Sequence, residues 1–137
     1  MKIKKFNELF NSIDGFVEKH QELDKINKSI EDICVELKDD GFKTLLRNND
    51  YCYSITLSKS DNFVLMKPFE FSEVIETIYT MIAWFDEYYK YDDIIIEFTE
   101  YNSIGREEGS LEYVEKYFRK NKKQIVYITI SFTNLDI

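Results

Sequence analysis

Few side chains in this 137-residue sequence have the types and spacing that catalysis requires. Nucleophilic catalysis needs a base, usually histidine, within hydrogen-bond reach of a serine or cysteine. The one histidine, His20, falls on the apolar stripe of a predicted helix, where a core or seam position is its ordinary role. Cys34 and Cys52 lack CxxC spacing, and two cysteines with one distant histidine make a poor zinc site. We expect buried free thiols and no nucleophilic or zinc centre.

Paired carboxylates on a strand are the other candidates for metal chemistry. In YDDIIIEFTE, Asp93 and Glu97 lie four residues apart, so a strand would project both to one face. A nuclease of the PD-(D/E)xK type needs a lysine two residues after the second acid, but Thr99 stands there. The segment SIGREEGS lacks the GK[ST] ending of a P-loop. We therefore expect no metal, no cofactor and no enzymatic activity.

The most unusual stretch is WFDEYYKYDDIIIEFTEY, residues 84–101. Aromatic residues are frequent in it, and its six carboxylates are opposed only by Lys90. Tyrosine and tryptophan combine apolar area with hydrogen bonding and are enriched at protein interfaces. A helix end followed by a core strand with a solvated rim would have the same composition. Both interpretations are open at the level of sequence.

The elements that must position these residues begin with an N-terminal helical segment, residues 1–40. Apolar residues recur mostly at intervals of three, four or seven, which predicts one long helix or a helical hairpin bent near residues 20–24. Gly41 can end it in the left-handed conformation. The narrow stripe resembles a coiled-coil seam and could pair two copies of the chain. The seam residues are Leu9, Ile13, Phe16, Leu23, Ile26, Ile30 and Ile33.

Residues 41–137 predict a sheet with helices. FKTLL, YCYSITLS and NFVLMKPF form a three-strand antiparallel meander with turns between them. A wide apolar stripe over residues 72–89 predicts a buried central helix. A strand, a loop, a short helix and a last strand, QIVYITISF, complete the chain, and the apolar run of that strand indicates a central position. The predicted fold is one α+β domain with a mainly antiparallel sheet of about five strands.

Charge is unevenly distributed along the chain, whose net charge is −8. Residues 1–69 hold 12 acids and 11 bases, residues 70–115 hold 13 acids and two bases, and residues 116–137 hold one acid and five bases. The middle segment repels phosphate, so we expect no direct binding of nucleic acid there. The basic cluster at residues 116–123 suits a helix C-terminus and could pair with the acidic segment. We expect Arg106 to pair with its neighbours Glu107 and Glu108.

The first functional hypothesis is a binding protein without catalysis, whose acidic, aromatic surface inhibits a basic, nucleic-acid-handling protein. Carboxylates can pair with the lysines and arginines that otherwise hold phosphate. By class-level analogy, CRISPR inhibitors carried by phages or other mobile elements and immunity proteins against toxin nucleases act in this way. The predicted contact residues are Glu73, Glu76, Trp84, Asp86, Glu87, Tyr88, Tyr91, Asp92, Asp93, Glu97 and Glu100.

Two alternatives remain. The N-terminal seam could make the protein a self-assembling or scaffold protein, so the chain is either a monomer or a homodimer. A binder of a small nucleotide would need basic residues in a pocket, and Arg47, Arg106 and Arg119 are the only arginines. No apolar run reaches the length of a signal peptide or a membrane span, so we expect a cytoplasmic protein without membrane contact.

Overall fold

The computed structural model describes residues 2–60 and 66–137, with side chains at 17–59 and 66–137. The helices in this part of the chain are α1 (Lys2–Ile33), α2 (Val35–Asp39), α3 (Ile75–Tyr88) and α4 (Leu111–Lys120), and a 3₁₀ turn at Phe71–Glu73 precedes α3. The strands are β1 (Phe42–Asn48), β2 (Cys52–Ser60), β3 (Met66–Lys67), β4 (Ile94–Glu100), β5 (Glu107–Gly109) and β6 (Ile125–Thr133).

The strands form one antiparallel sheet in the order β1-β2-β6-β4-β5, which confirms the predicted α+β class. The apolar strand β6 is central, as its sequence indicates. The short strand β3 pairs with the end of β2, and Phe69 then makes an isolated antiparallel bridge to Ile125 of β6. The predicted third strand starts earlier, and its residues 62–65 lie outside the described residues.

The N-terminal segment is a long helix and not a hairpin, because α1 runs without interruption through residues 20–24. The helical path changes only at Cys34 (φ −87°, ψ 3°), and backbone hydrogen bonds of 3.0 Å continue through it from Cys34 to Ile30 and from Lys38 to Cys34. Gly41 then takes a positive φ of 93° and ends α2, as predicted.

The described helices pack on one face of the sheet. The core contains side chains from alternate strand positions together with one side of each of α1, α3 and α4. These fully buried residues include Ile26, Ile30, Ile55, Leu57, Ile78, Met81, Phe85, Ile96, Val114, Ile128, Ile130 and Phe132. The central helix α3 is buried along this side only, since Tyr79 and Tyr88 are 47% and 60% exposed.

The other sheet face carries hydroxyl groups. Thr56 and Thr129 are paired across β2 and β6, and their Oγ1 atoms are 2.8 Å apart. Ser54 and Ser131 make the next pair, with their Oγ atoms 3.0 Å apart. Because antiparallel sheets can leave one face to solvent, this polar face needs no second layer.

The segment predicted as a loop after β4 contains a strand. In β5, Glu107 and Glu108 pair with Phe98 and Glu97 of β4. Glutamate and glycine have low strand propensity, so the sequence of this segment does not indicate a strand. The segment is a strand because it pairs with β4. Gly109 leaves room for the ring of Tyr113, because a Cβ atom there would lie 2.4 Å from Cδ1 of Tyr113.

Both cysteines are free thiols. Cys34 is fully buried, and this burial raises its pKa to about 11. Cys52 is only partly buried, and its Sγ lies 3.4 Å from Oγ of Ser54. The expectation of buried thiols is therefore confirmed for Cys34 only. His20 is exposed, so it is not the core residue that its place on the stripe suggests.

Candidate protein interface at the acidic end

Most aromatic side chains of residues 84–101 belong to the interior of the domain. Phe85 is fully buried, and its ring centroid lies 4.0 Å from that of Phe132. Trp84 packs edge-on against Phe85, and Tyr91 packs edge-on against Phe132, with both centroid separations at 5.1 Å. Trp84 and Tyr91, two of the predicted partner contacts, are therefore partly buried against the hydrophobic core, and their contact with a partner stays a prediction.

Tyrosines also hold several of the carboxylates within the chain. The hydroxyl groups donate to carboxylates in four pairs, and hydrogen bonds of this kind, in which the acceptor is ionised, are stronger than neutral ones. The pairs are Tyr79 with Glu115, Tyr89 with Glu22, Tyr91 with Asp86, and Tyr117 with Glu100. The acidic and aromatic composition is thus partly explained by contacts between the two residue types.

Burial and these hydrogen bonds raise the pKa of several tyrosines, so native stability should decrease at alkaline pH. Burial, helped by the hydrogen bond to Asp86, raises the pKa of Tyr91 from 10.0 to about 12. Between these values the unfolded chain releases a proton that the native chain keeps, so the free energy of unfolding should fall as pH rises through this window. The pKa of Tyr117 is raised by its hydrogen bond to Glu100, and that of Tyr89 is raised by burial, so both add to the effect.

Urea unfolding monitored at several values between pH 10 and pH 12 measures this loss. The variant Tyr91→Phe is the control, because it has no phenolic proton and should lose less stability over the same window. A free energy of unfolding that does not change across the window would contradict the assignment.

Three predicted contact residues form ion pairs with cations of the same chain. Glu73 lies 3.5 Å from Nζ of Lys59, and its other oxygen accepts the backbone N–H of Glu70 in a capping box. Glu97 faces away from the core and lies 3.8 Å from Arg106, which therefore does not pair with Glu107 and Glu108 as predicted. The third, Glu100, is 3.4 Å from Lys123 and also accepts from Tyr117.

Glu97 and Glu100 also lie away from the predicted acids Asp92 and Asp93. Glu97 points to the hydroxyl-lined face of the sheet, because its neighbours Ile96 and Phe98 are buried on the helical face. Glu100 is at the far end of β4 from Asp93. The basic cluster at residues 116–123 pairs with the acidic segment, as the sequence allowed, through Glu100, Glu112 and Glu115.

Four of the remaining predicted acids, Asp86, Glu87, Asp92 and Asp93, gather where three chain segments meet at one end of the sheet. The fifth, Glu76, is exposed in the first turn of α3, at the opposite end of that helix. The backbone N–H of Asn134 donates to the carbonyl of Tyr51 at 2.8 Å, and its side-chain amide donates to Asp92 at 2.7 Å. The N–H of Asp136 donates to the carbonyl of Lys90 at 2.8 Å. Asn134 adopts a positive φ of 49°, which turns the chain after β6 towards the loop that follows α3.

We call this surface the acidic end and define it by its carboxylates, all of which are exposed. They are Asp50, Asp86, Glu87, Asp92, Asp93 and Asp136. Two exposed tyrosines accompany them: Tyr51, 78% exposed in the turn between β1 and β2, and Tyr88 at the end of α3. Asp50, Tyr51 and Asp136 were not predicted, because only strand register brings their segments together.

The negative potential of the acidic end is reinforced by α3. The C-terminus of a helix carries a partial negative charge, which nearby cations stabilise. The last turn of α3 has no basic residue and instead contains Asp86 and Glu87. The side chains of Glu87 and Asp93 make no hydrogen bond or ion pair with other described residues. Bound cations from a partner would therefore be favoured here.

The helix α1 reaches the same end of the domain. Glu22 accepts a hydrogen bond from Tyr89, whereas residues 17–21, more than a full helical turn, are exposed on every side. Ile26 and Ile30 are fully buried, and Leu23 and Ile33 pack against the same core. These four residues of the predicted seam therefore pack against the core of their own chain.

The other seam residues, Leu9, Ile13 and Phe16, have side chains outside the described residues, so pairing of α1 with another chain stays a prediction.

Among the described side chains, no three histidines, cysteines, aspartates or glutamates are grouped so that they could hold a metal ion. No helix in residues 2–60 or 66–137 combines the length and apolar character needed to cross a membrane. Comparison with known proteins gives no further guide: no family model, curated protein or solved structure matches this chain.

Proposed function

We propose that this protein acts by stoichiometric binding of a basic protein through its acidic end. The observation that carries the proposal is the convergence of six exposed carboxylates from three chain segments that contain only one base, Lys90. Tyr51 and Tyr88 add exposed aromatic area beside the charges. Aromatic anchors surrounded by charge are typical of specific protein interfaces.

The proposed partner is a protein that handles nucleic acid. Such a protein carries lysines and arginines that bind phosphates, and carboxylates can pair with the same groups, bidentately in the case of arginine. Tyrosine rings can pack over the same cations. Binding would block the phosphate-binding surface, which makes the protein an inhibitor. A CRISPR effector or a toxin nuclease has the required surface chemistry.

Affinity capture from the native lysate tests this proposal. The tagged protein should retain a basic, nucleic-acid-binding protein at low salt and release it at high salt, because salt screens exposed charge pairs. Retention that persists at high salt would contradict the electrostatic mechanism. Recovery of only the protein itself would also contradict it, and would support assembly through α1 instead.

A further inference from the structure

A cleft lies between the start of α3 and the end of α4, at the opposite end of α3 from the acidic end. It encloses about 520 Å³, within the range of small-molecule sites. Phe71, Ile75 and Phe118 form its apolar wall. The rings of Phe71 and Phe118 stack with centroids 5.0 Å apart and planes 17° apart, which fixes the shape of this wall.

The cleft is also lined by three basic residues, Arg119, Lys122 and Lys123. Two of these cations are already paired: Arg119 lies 3.4 Å from Glu115, and Lys123 lies 3.4 Å from Glu100. Lys122 is exposed and forms no ion pair with any described residue. It is therefore the cation that a ligand can engage without breaking an existing pair.

The N-terminus of α3 also lies at the cleft. This helix begins at Ile75 on the cleft wall, so the positive end of its dipole lies beside the cavity. Glu70 also lines the cleft, but its carboxylate accepts the N–H of Glu73 in the capping box. With Glu70 and Glu115 nearby, the cleft suits a single negative charge and disfavours the polyphosphate of many nucleotides.

We propose that this cleft binds a small molecule that joins an apolar ring or chain to one anionic group. The apolar part would pack against Phe71, Ile75 and Phe118, and the anionic group would pair with Lys122. The site shares no residue with the acidic end, so this inference stands or fails separately from the proposed function.

Titration with anilinonaphthalene sulfonate, an aromatic monoanion whose fluorescence rises in apolar surroundings, tests the proposal on the folded full-length chain. We expect saturable binding at one site. Lys122→Gln should weaken it at least about threefold, because a hydrogen bond to a charged group is lost. Lys120→Gln is the matched control: Lys120 is also exposed, makes no ion pair with described residues and does not line the cleft.

A second variant keeps the test independent of Lys122. Ser72 is exposed on the cleft wall, and Ser72→Glu adds a negative charge there without disturbing the core. It should weaken binding of the probe at least as much as Lys122→Gln does. An absence of saturable binding would overturn the proposal. Equal affinities in Lys122→Gln, Lys120→Gln and the unmodified protein would overturn it as well.

Discussion

Replacing Phe85 with alanine is expected to lower the free energy of unfolding by about 3–5 kcal/mol. Phe85 is fully buried, and its ring is packed among those of Tyr53, Trp84, Tyr89 and Phe132. Removing it leaves a cavity where α3 meets the sheet. Because small domains have total stabilities of about 5–15 kcal/mol, this single change could unfold a large fraction of the protein.

Denaturant unfolding of the unmodified protein and of the Phe85→Ala variant measures this effect. Tyr88→Ala is the matched control, because Tyr88 is an aromatic residue of the same helix but is 60% exposed. Its replacement should cost about 1 kcal/mol or less. Similar losses in the two variants would show that Phe85 is not the anchor between α3 and the sheet.

Reversing two charges at the acidic end is expected to weaken binding of the captured partner about a hundredfold or more at low salt, since like charges placed together at an interface cost several kcal/mol. The variant carries Glu87→Lys and Asp93→Lys. Neither side chain has a partner among the described residues, and a lysine in the last turn of α3 suits the helix dipole. The fold should therefore be kept while binding is lost.

The control for this variant is Asp32→Lys with Asp39→Lys. Both residues are exposed and lie near the C-terminal ends of α1 and α2, where lysine is also tolerated. They precede β1, at the opposite end of the sheet from the acidic end. Both variants raise the net charge by the same amount, so equal affinities for the partner would mean that the overall charge matters and the acidic end does not.

Much of the fold could be predicted because its signals are local. The periodic apolar positions define α1 and α3, and the run from Ile125 to Thr133 indicates a strand buried in the middle of the sheet. Gly41 ends α2 as its position after two aspartates suggests. The strand β5 could not be predicted, because pairing with β4 and not local propensity determines it.

The site was only partly predictable. Asp86 and Glu87 lie close to Asp92 and Asp93 in sequence, so their grouping needed no knowledge of the sheet. Asp50 and Asp136 join them only through the register of β2 with β6 and the turn at Asn134. Glu97, by contrast, was predicted to be part of this surface, but the alternation of side chains along β4 places it on the other face of the sheet. The hydrogen bonds from tyrosines to carboxylates could not be predicted either, because composition does not show which hydroxyl group lies close to which carboxylate.

The salt dependence of affinity for the captured partner is the most direct measurement of the central claim. Titrations at increasing salt should show a steady loss of affinity for the unmodified protein, because exposed charge pairs between the acidic end and the partner are screened. The Glu87→Lys, Asp93→Lys variant should show a clearly weaker dependence on salt, since fewer attractive pairs remain. An affinity for the unmodified protein that stays constant from low to high salt would contradict binding through the acidic end.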